Sequence, residues 1–169
     1  MLTRKIFPYP KTMVYEKLGT MLGDRVTNAF NTITPIVDKF CRDIRGKLIP
    51  IKSEVVMGDR ELWIGGMADQ IFYNTKSGML EIWDWKTNKK IDTYSNFKLE
   101  GSLSYLDSSK LTVYSLQLSL YKFMWEKNTN LKFGDNYICW FNEKNTSYVV
   151  HKCHDMSKEV AIMINELSK

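Results

Sequence analysis

Apolar positions along the chain follow two different periods, and the changes of period divide it into elements. Val14, Leu18, Met21, Leu22, Val26, Ala29, Phe30 and Ile33 recur at the spacing that lines one face of a helix. The helix is predicted to begin at Met13, with Thr12 as its cap. Pro35 has no amide hydrogen and its ring crowds the preceding turn. A break is therefore predicted there, with a second short helix ending near Arg45.

Alternation then takes over. Ile51, Val55 and Met57 fall on one strand face, and Gly58-Asp59 is predicted as a hairpin turn. Leu62–Tyr73 reads as one or two strands, in which Gly65 and Gly66 mark a bulge or a close backbone contact. Thr75–Gly78 is a second turn and Met79–Trp85 a third strand, completing an antiparallel meander. The stretch from Lys86 to Lys110 is polar and without period, a length of loop that compact domains keep for function. From Leu111 to Lys127, Val113, Leu116, Leu120, Phe123 and Met124 mark an amphipathic helix. Strands follow at Asn136–Asn142 and Ser147–Cys153, and Asp155 caps a last helix, Met156–Leu167. This order predicts an α/β (α+β) fold: a mixed central sheet containing a three-strand antiparallel meander, flanked by helices.

Composition narrows the class. The 169 residues are 44% hydrophobic and 13% aromatic, enough for a core of more than one layer and against disorder or low complexity. No repeat or linker divides residues 1–169, so a single domain is expected. No apolar run reaches membrane-span length, and Met1–Lys11 has no apolar run at all, so neither a membrane segment nor a signal peptide is expected. Cys41, Cys139 and Cys153 include no C-x-x-C pair, which excludes a zinc knuckle or four-cysteine cluster and fits a reducing, cytoplasmic compartment. The net charge of +5 comes from 24 basic residues, 19 of them lysine, which favours diffuse phosphate attraction over bidentate base reading.

Candidate chemistry centres on Asp69 and on Asp84-Trp85-Lys86. Strand alternation puts Asp84 and Lys86 on one side of the sheet, and a hairpin across Thr75–Gly78 brings Asp69 roughly opposite Asp84. Two converging carboxylates are hard ligands for Mg²⁺ or Mn²⁺, and a lysine beside them can orient or deprotonate a water and stabilise charge on a phosphoryl oxygen. The plainer alternative is a same-face strand pair, Asp84–Lys86, with Asp69 as a surface carboxylate near a turn.

The wider series is Glu54, Gly65-Gly66 ahead of Asp69, Asp84-x-Lys86-Thr87 and Gln117-x-x-x-Tyr121. In order and spacing it resembles the RecB-like branch of the PD-(D/E)xK nuclease superfamily, from about Tyr15 to Tyr121 and into the strands that follow. The resemblance implies a restriction-endonuclease-like core. It makes Asp69 and Asp84 the metal-binding acids, the Trp85 backbone carbonyl a further ligand and Lys86 the catalytic lysine. Glu54 becomes an acid that supports the site, and Gln117 and Tyr121 contact nucleic acid. Ala68 stands where the superfamily's name puts proline. The branch often carries Gly-Thr-x-x-His in its first helix, whereas this chain has Gly19-Thr20-Met21-Leu22-Gly23. The pattern implies that position 23 faces Asp69 and Asp84, where a histidine would ligate metal. The site then manages with fewer ligands, is weakened or inactive, or carries an introduced glycine. The cysteines exclude the branch's iron–sulfur subgroup.

His151-x-Cys153-His154 offers soft ligands, but a strand does not send all three side chains one way. Trp63, Trp83, Trp125 and Trp140 are expected in the core, with Trp85 flanking the metal. Tyr94, Phe97 and Tyr105 share the long loop with Lys89, Lys90, Lys98 and Lys110, a mixture that suits single-stranded nucleic acid and equally suits an ordinary solvated loop. The leading expectation is a Mg²⁺- or Mn²⁺-dependent deoxyribonuclease acting on DNA ends or single strands in the cytoplasm of a bacterial cell or phage-infected host. No phosphate-binding G-x-x-x-x-G-K-[ST] loop is present, so a helicase or recombination partner would lie on another chain. The alternative is a non-catalytic nucleic-acid-binding or assembly module on the same fold.

Overall fold

The structure is a computed structural model that describes residues 11–142 and 144–167, with side chains from residue 27 onward except residue 29. The predicted break at Pro35 does not occur: helix α1 runs unbroken over Lys11–Ile44. An interior proline costs a helix about 3 kcal/mol. Beyond it, Ile36 and Phe40 are 5% and 2% exposed, and burying each contributes roughly 1.5–3 kcal/mol. Phe40 alone meets the rings of Trp83, Trp85, Phe141 and Tyr148 at centroid distances of 5.2–5.9 Å. Tertiary packing outweighs the local penalty. The helix already includes Lys11, so Thr12 lies within it and is not its cap, whereas the facing assigned to position 23 lies outside the described side chains.

Five strands form one sheet in sequence order: β1 (Leu48–Asp59), β2 (Ile64–Asn74), β3 (Met79–Lys86), β4 (Phe133–Trp140) and β5 (Val149–Lys152). All neighbours are antiparallel except β3 and β4, which are parallel and joined through helix α2 (Lys110–Asn128). The predicted meander and element order are both present. Alternation along β3 and β4 sends Ile82 and Ile138 into one core with Leu118, Tyr121 and Met124 of α2. Trp83 and Cys139 go into a second core with Ile36 and Phe40 of α1. Helix α3 (Ser157–Leu167) is capped by Asp155, which accepts from the Ser157 amide at 3.1 Å.

Four details differ from expectation. Gly58 and Asp59 stay in the ladder, paired with Gly65 and Ile64, and the turn falls at 60–63. There the Asp59 carboxylate accepts from the amides of Glu61 and Leu62, both at 3.0 Å. Ile51 is 56% exposed instead of joining Val55 and Met57, because the register shifts between Pro50 and Lys52 and resets the alternation. Helix α2 begins one residue early under a Ser109 cap, and it buries Ser115 and Ser119 while Val113 is exposed. Those hydroxyls are inside because they hold the chain entering α3: Ser115 accepts from the His154 amide at 3.0 Å and Ser119 from the Met156 amide at 3.2 Å. Trp63, expected in the core, is 93% exposed in the 60–63 turn. No helix among the described residues is long and apolar enough to cross a membrane.

Candidate active site

The β2–β3 ladder ends at the pair Gln70↔Trp83, and one step further the register sets Asp69 beside Asp84. Asp69 takes up the connection with its side chain, accepting the Trp85 amide on Oδ2 at 2.7 Å. Asp84 stands two residues before the end of β3, level with Ile138 of β4, and is only 3% exposed. Lys86, at the end of the strand, ion-pairs with Asp84 Oδ2. The expected convergence of Asp69, Asp84 and Lys86 is present, although Asp84 is more deeply buried than a surface strand pair would be.

Burial pushes the Asp84 carboxyl up from its ordinary value. Lys86 draws it back down, and the neighbouring Asp69 charge pushes it further up. Its Oδ2 atom is the one that the Lys86 ammonium meets. A buried carboxylate beside a second carboxylate has the character of a cation ligand. Among the described residues no three His, Cys, Asp or Glu side chains converge, so this donor set is a pair. Glu54 lies level with Asp69, between the pairs Ser53↔Gln70 and Val55↔Ala68, but it is exposed. Its φ of 50° is a left-handed conformation inside a strand, which costs a non-glycine residue on the order of 1–3 kcal/mol.

Trp85 gives its amide to Asp69 while its ring turns into the α1 core against Phe40, Phe72 and Phe141. Gln117 and Tyr121 lie one turn apart on α2, and Gln117 Nε2 donates to the Tyr121 hydroxyl at 2.7 Å. The Tyr121 ring is 8% exposed and sits on Gly66, where a Cβ would lie 2.3 Å from Cε1. The close backbone contact expected at the paired glycines is therefore real at Gly66, and its partner is the tyrosine of the Gln-x-x-x-Tyr pair. Lys89 and Lys90 are exposed in the loop that follows Lys86, with Tyr94 and Phe97 68% and 80% exposed further along it. Cys153 is buried, and burial pushes its thiol up to about 11.

Sequence reasoning missed Tyr114, whose ring centroid lies 4.6 Å from Lys86 Nζ. It also missed Asn88, whose side-chain oxygen accepts from the Tyr114 hydroxyl at 3.1 Å. Position 114 precedes Gln117 by three residues, the helical spacing that signals a shared face.

No protein-family model matches the chain, and no curated protein resembles it in sequence. By fold it is similar to the crystal structure of a putative exonuclease from Eubacterium rectale, with a TM-score of 0.50 and 18% sequence identity. The match covers 83% of this chain and 49% of that one, so the chain spans about half the length of that structure. The mixed five-stranded sheet flanked by helices has the restriction-endonuclease-like fold.

Proposed function

We propose that the chain is a metal-dependent nuclease acting on DNA, of RecB-like exonuclease type, centred on Asp69, Asp84 and Lys86. The observation that carries this reading is the buried Asp84 carboxylate held beside Asp69, with the Lys86 ammonium on its Oδ2 atom. Two carboxylates held side by side, one of them buried, repel one another, and a divalent cation relieves that repulsion. The fold likeness to a putative exonuclease supports the same reading.

Asp69 and Asp84 are the side chains that would hold Mg²⁺ or Mn²⁺, with the Trp85 carbonyl as the further ligand that the family resemblance implies. Such an ion, when bound, supplies a water of lowered pKa and neutralises charge on phosphoryl oxygens. Lys86, its ammonium resting on Asp84, orients the attacking water and faces the charge that develops on the phosphoryl group. Glu54 supports the site from the neighbouring strand. Gln117 and Tyr121 form the nucleic-acid contact on α2, while Lys89 and Lys90 draw phosphates toward the loop with Tyr94 and Phe97 as faces for bases. The partners are DNA and, on another chain, a helicase or recombination protein. The compartment is the cytoplasm.

The test is digestion of linear and circular DNA with Mg²⁺, Mn²⁺ or EDTA, using the parent protein, Asp84→Ala and Lys86→Ala. Linear DNA should be lost with either metal, and both variants should be inactive with unchanged circular dichroism. Wild-type cleavage by either variant overturns the assignment. A second reading, a binding module on the same fold, is favoured by the donor set being a pair among the described residues. Calorimetric Mn²⁺ titration separates the two, because the nuclease binds Mn²⁺ through Asp69 and Asp84 and the module need not.

A further inference from the structure

Lys86 is the side chain on which the reading above depends most, and lysine is poorly suited to staying in place. Its four-carbon stem carries about 2 kcal/mol of rotamer entropy. Its ionic partner is Asp84, the carboxylate that a bound cation would also claim. An ammonium tethered by that contact alone would lose its anchor when the site fills.

The second contact is the Tyr114 face, with Nζ 4.6 Å from the ring centroid. That ring is fixed independently of Lys86. Its hydroxyl donates to Asn88 Oδ1 at 3.1 Å, and the Asn88 carbonyl in turn accepts from Trp140 Nε1 at 2.7 Å and Asn142 Nδ2 at 2.8 Å. Trp140 is the register partner of Lys86 across β3 and β4, and the Phe141 amide donates to the Lys86 carbonyl at 2.8 Å. The strand end that holds the Lys86 backbone thus also holds, through Asn88, the ring that holds its side chain. A π face attracts a cation without carrying a compensating charge, so the ammonium stays fully available to a phosphate. Tyr114, Gln117 and Tyr121 follow one another along the same stripe of α2, so the ring also begins the face that the Gln–Tyr pair continues.

We propose that Tyr114 is a positioning residue for Lys86: a neutral aromatic wall, anchored by Asn88, that keeps the ammonium in place when Asp84 is engaged elsewhere. The inference rests on the nuclease reading for its consequence in turnover, and on geometry alone for the placement of Lys86.

Two measurements test it. The first follows cleavage of linear DNA under Mn²⁺ by the parent, Tyr114→Leu, Tyr114→Phe and Tyr114→Trp, with thermal melting of each. Losing the ring should lower kcat about 10-fold, the scale of a partly desolvated cation–π contact. KM for DNA should stay unchanged, and Phe and Trp should restore most of kcat although Phe melts no higher than Leu. The second, which needs no activity, is NMR of the lysine ε-methylene groups. One ring-shifted signal should be present in the parent and Tyr114→Phe, and absent from Tyr114→Leu and Lys86→Met. No ring-shifted signal, or one that survives Lys86→Met, overturns the placement. Equal kcat for Leu and Phe overturns the positioning role, and a loss appearing in KM makes Tyr114 a DNA contact instead. Cleavage that survives Asp84→Ala defeats the nuclease reading while the NMR result still decides the placement.

Discussion

Gly66→Ala adds a single methyl group and places it where the Tyr121 ring now lies. The new Cβ would stand 2.3 Å from Cε1, 2.8 Å from Cζ and 2.9 Å from the hydroxyl oxygen. Ordinary contact begins near 3.4 Å, so the ring must withdraw by about 1 Å. It has little freedom to do so, being 8% exposed in the α2 core and tied to Gln117 Nε2 at 2.7 Å. Glycine inside a strand normally costs about 0.5–1 kcal/mol relative to alanine, so without the clash the substitution would stabilise the protein. With the clash, overpacking costs roughly 1–3 kcal/mol, and the sign reverses. For a chain of this size that is a fall in Tm of very roughly 2–10 °C. On the proposed function, DNA affinity should fall with it, because the Gln117–Tyr121 geometry is disturbed, while the Mn²⁺ binding proposed for Asp69 and Asp84 should be retained. The double variant Gly66→Ala, Tyr121→Ala should recover part of the stability that adding the two single losses predicts to be gone. Differential scanning calorimetry of the four proteins is the assay. A Gly66→Ala variant that melts above the parent, or losses that simply add, would refute the packing argument.

Pro35→Ala should stabilise the protein by up to about 3 kcal/mol, because the exposed proline lacks the amide that an interior helix position donates and alanine restores that hydrogen bond. A denaturant midpoint that falls instead would show that the proline is needed in place. Asp59→Asn should lower Tm at neutral pH but not in strong acid. Lys127 above all, then the turn amides and Asn128, hold the Asp59 carboxyl below its ordinary value. A depressed carboxyl contributes stability above the unfolded-state pKa, lost as pH falls through the folded one, so the gap between parent and variant should close below about pH 3.9. Melting curves at pH 7 and pH 2.5 check this, and a gap of equal size at both would count against the ion pair.

Much of the site was legible because its residues lie on regular strands. Alternation put Asp84 and Lys86 on one side, and the turn at Thr75–Gly78 counted the register that set Asp69 beside Asp84. What escaped was decided by partners distant in the chain. The Pro35 penalty is local and legible, but the Phe40 packing that overrides it comes from rings in β3, Phe141 and Tyr148. Ser115 and Ser119 are not among the apolar positions that marked α2, yet they are buried because the chain before α3 presents its amides to them. Ile51 follows the right parity and is lost to a register shift beside Pro50. Tyr114 gives no sign of touching Lys86 until α2 has crossed back over the sheet.

That crossing also determines when the buried acid comes into being as the chain folds. The β1–β2 and β2–β3 pairs close across short turns and can form from neighbouring sequence, whereas β3 meets β4 only after the long excursion from Lys86 to Phe133. Closing that loop carries the larger entropy cost, and parallel pairing is the slower event. In the isolated meander, Asp84 would stand on an edge strand in water as an ordinary surface carboxylate. Its neighbours Ile138 and Cys139, the Asn88 clamp made by Trp140 and Asn142, and the α2 stripe all arrive with the later half of the chain. Partly folded and truncated forms therefore keep both acids yet lack the concentrated, desolvated charge, so the site's electrostatic character is acquired in the last step of sheet assembly.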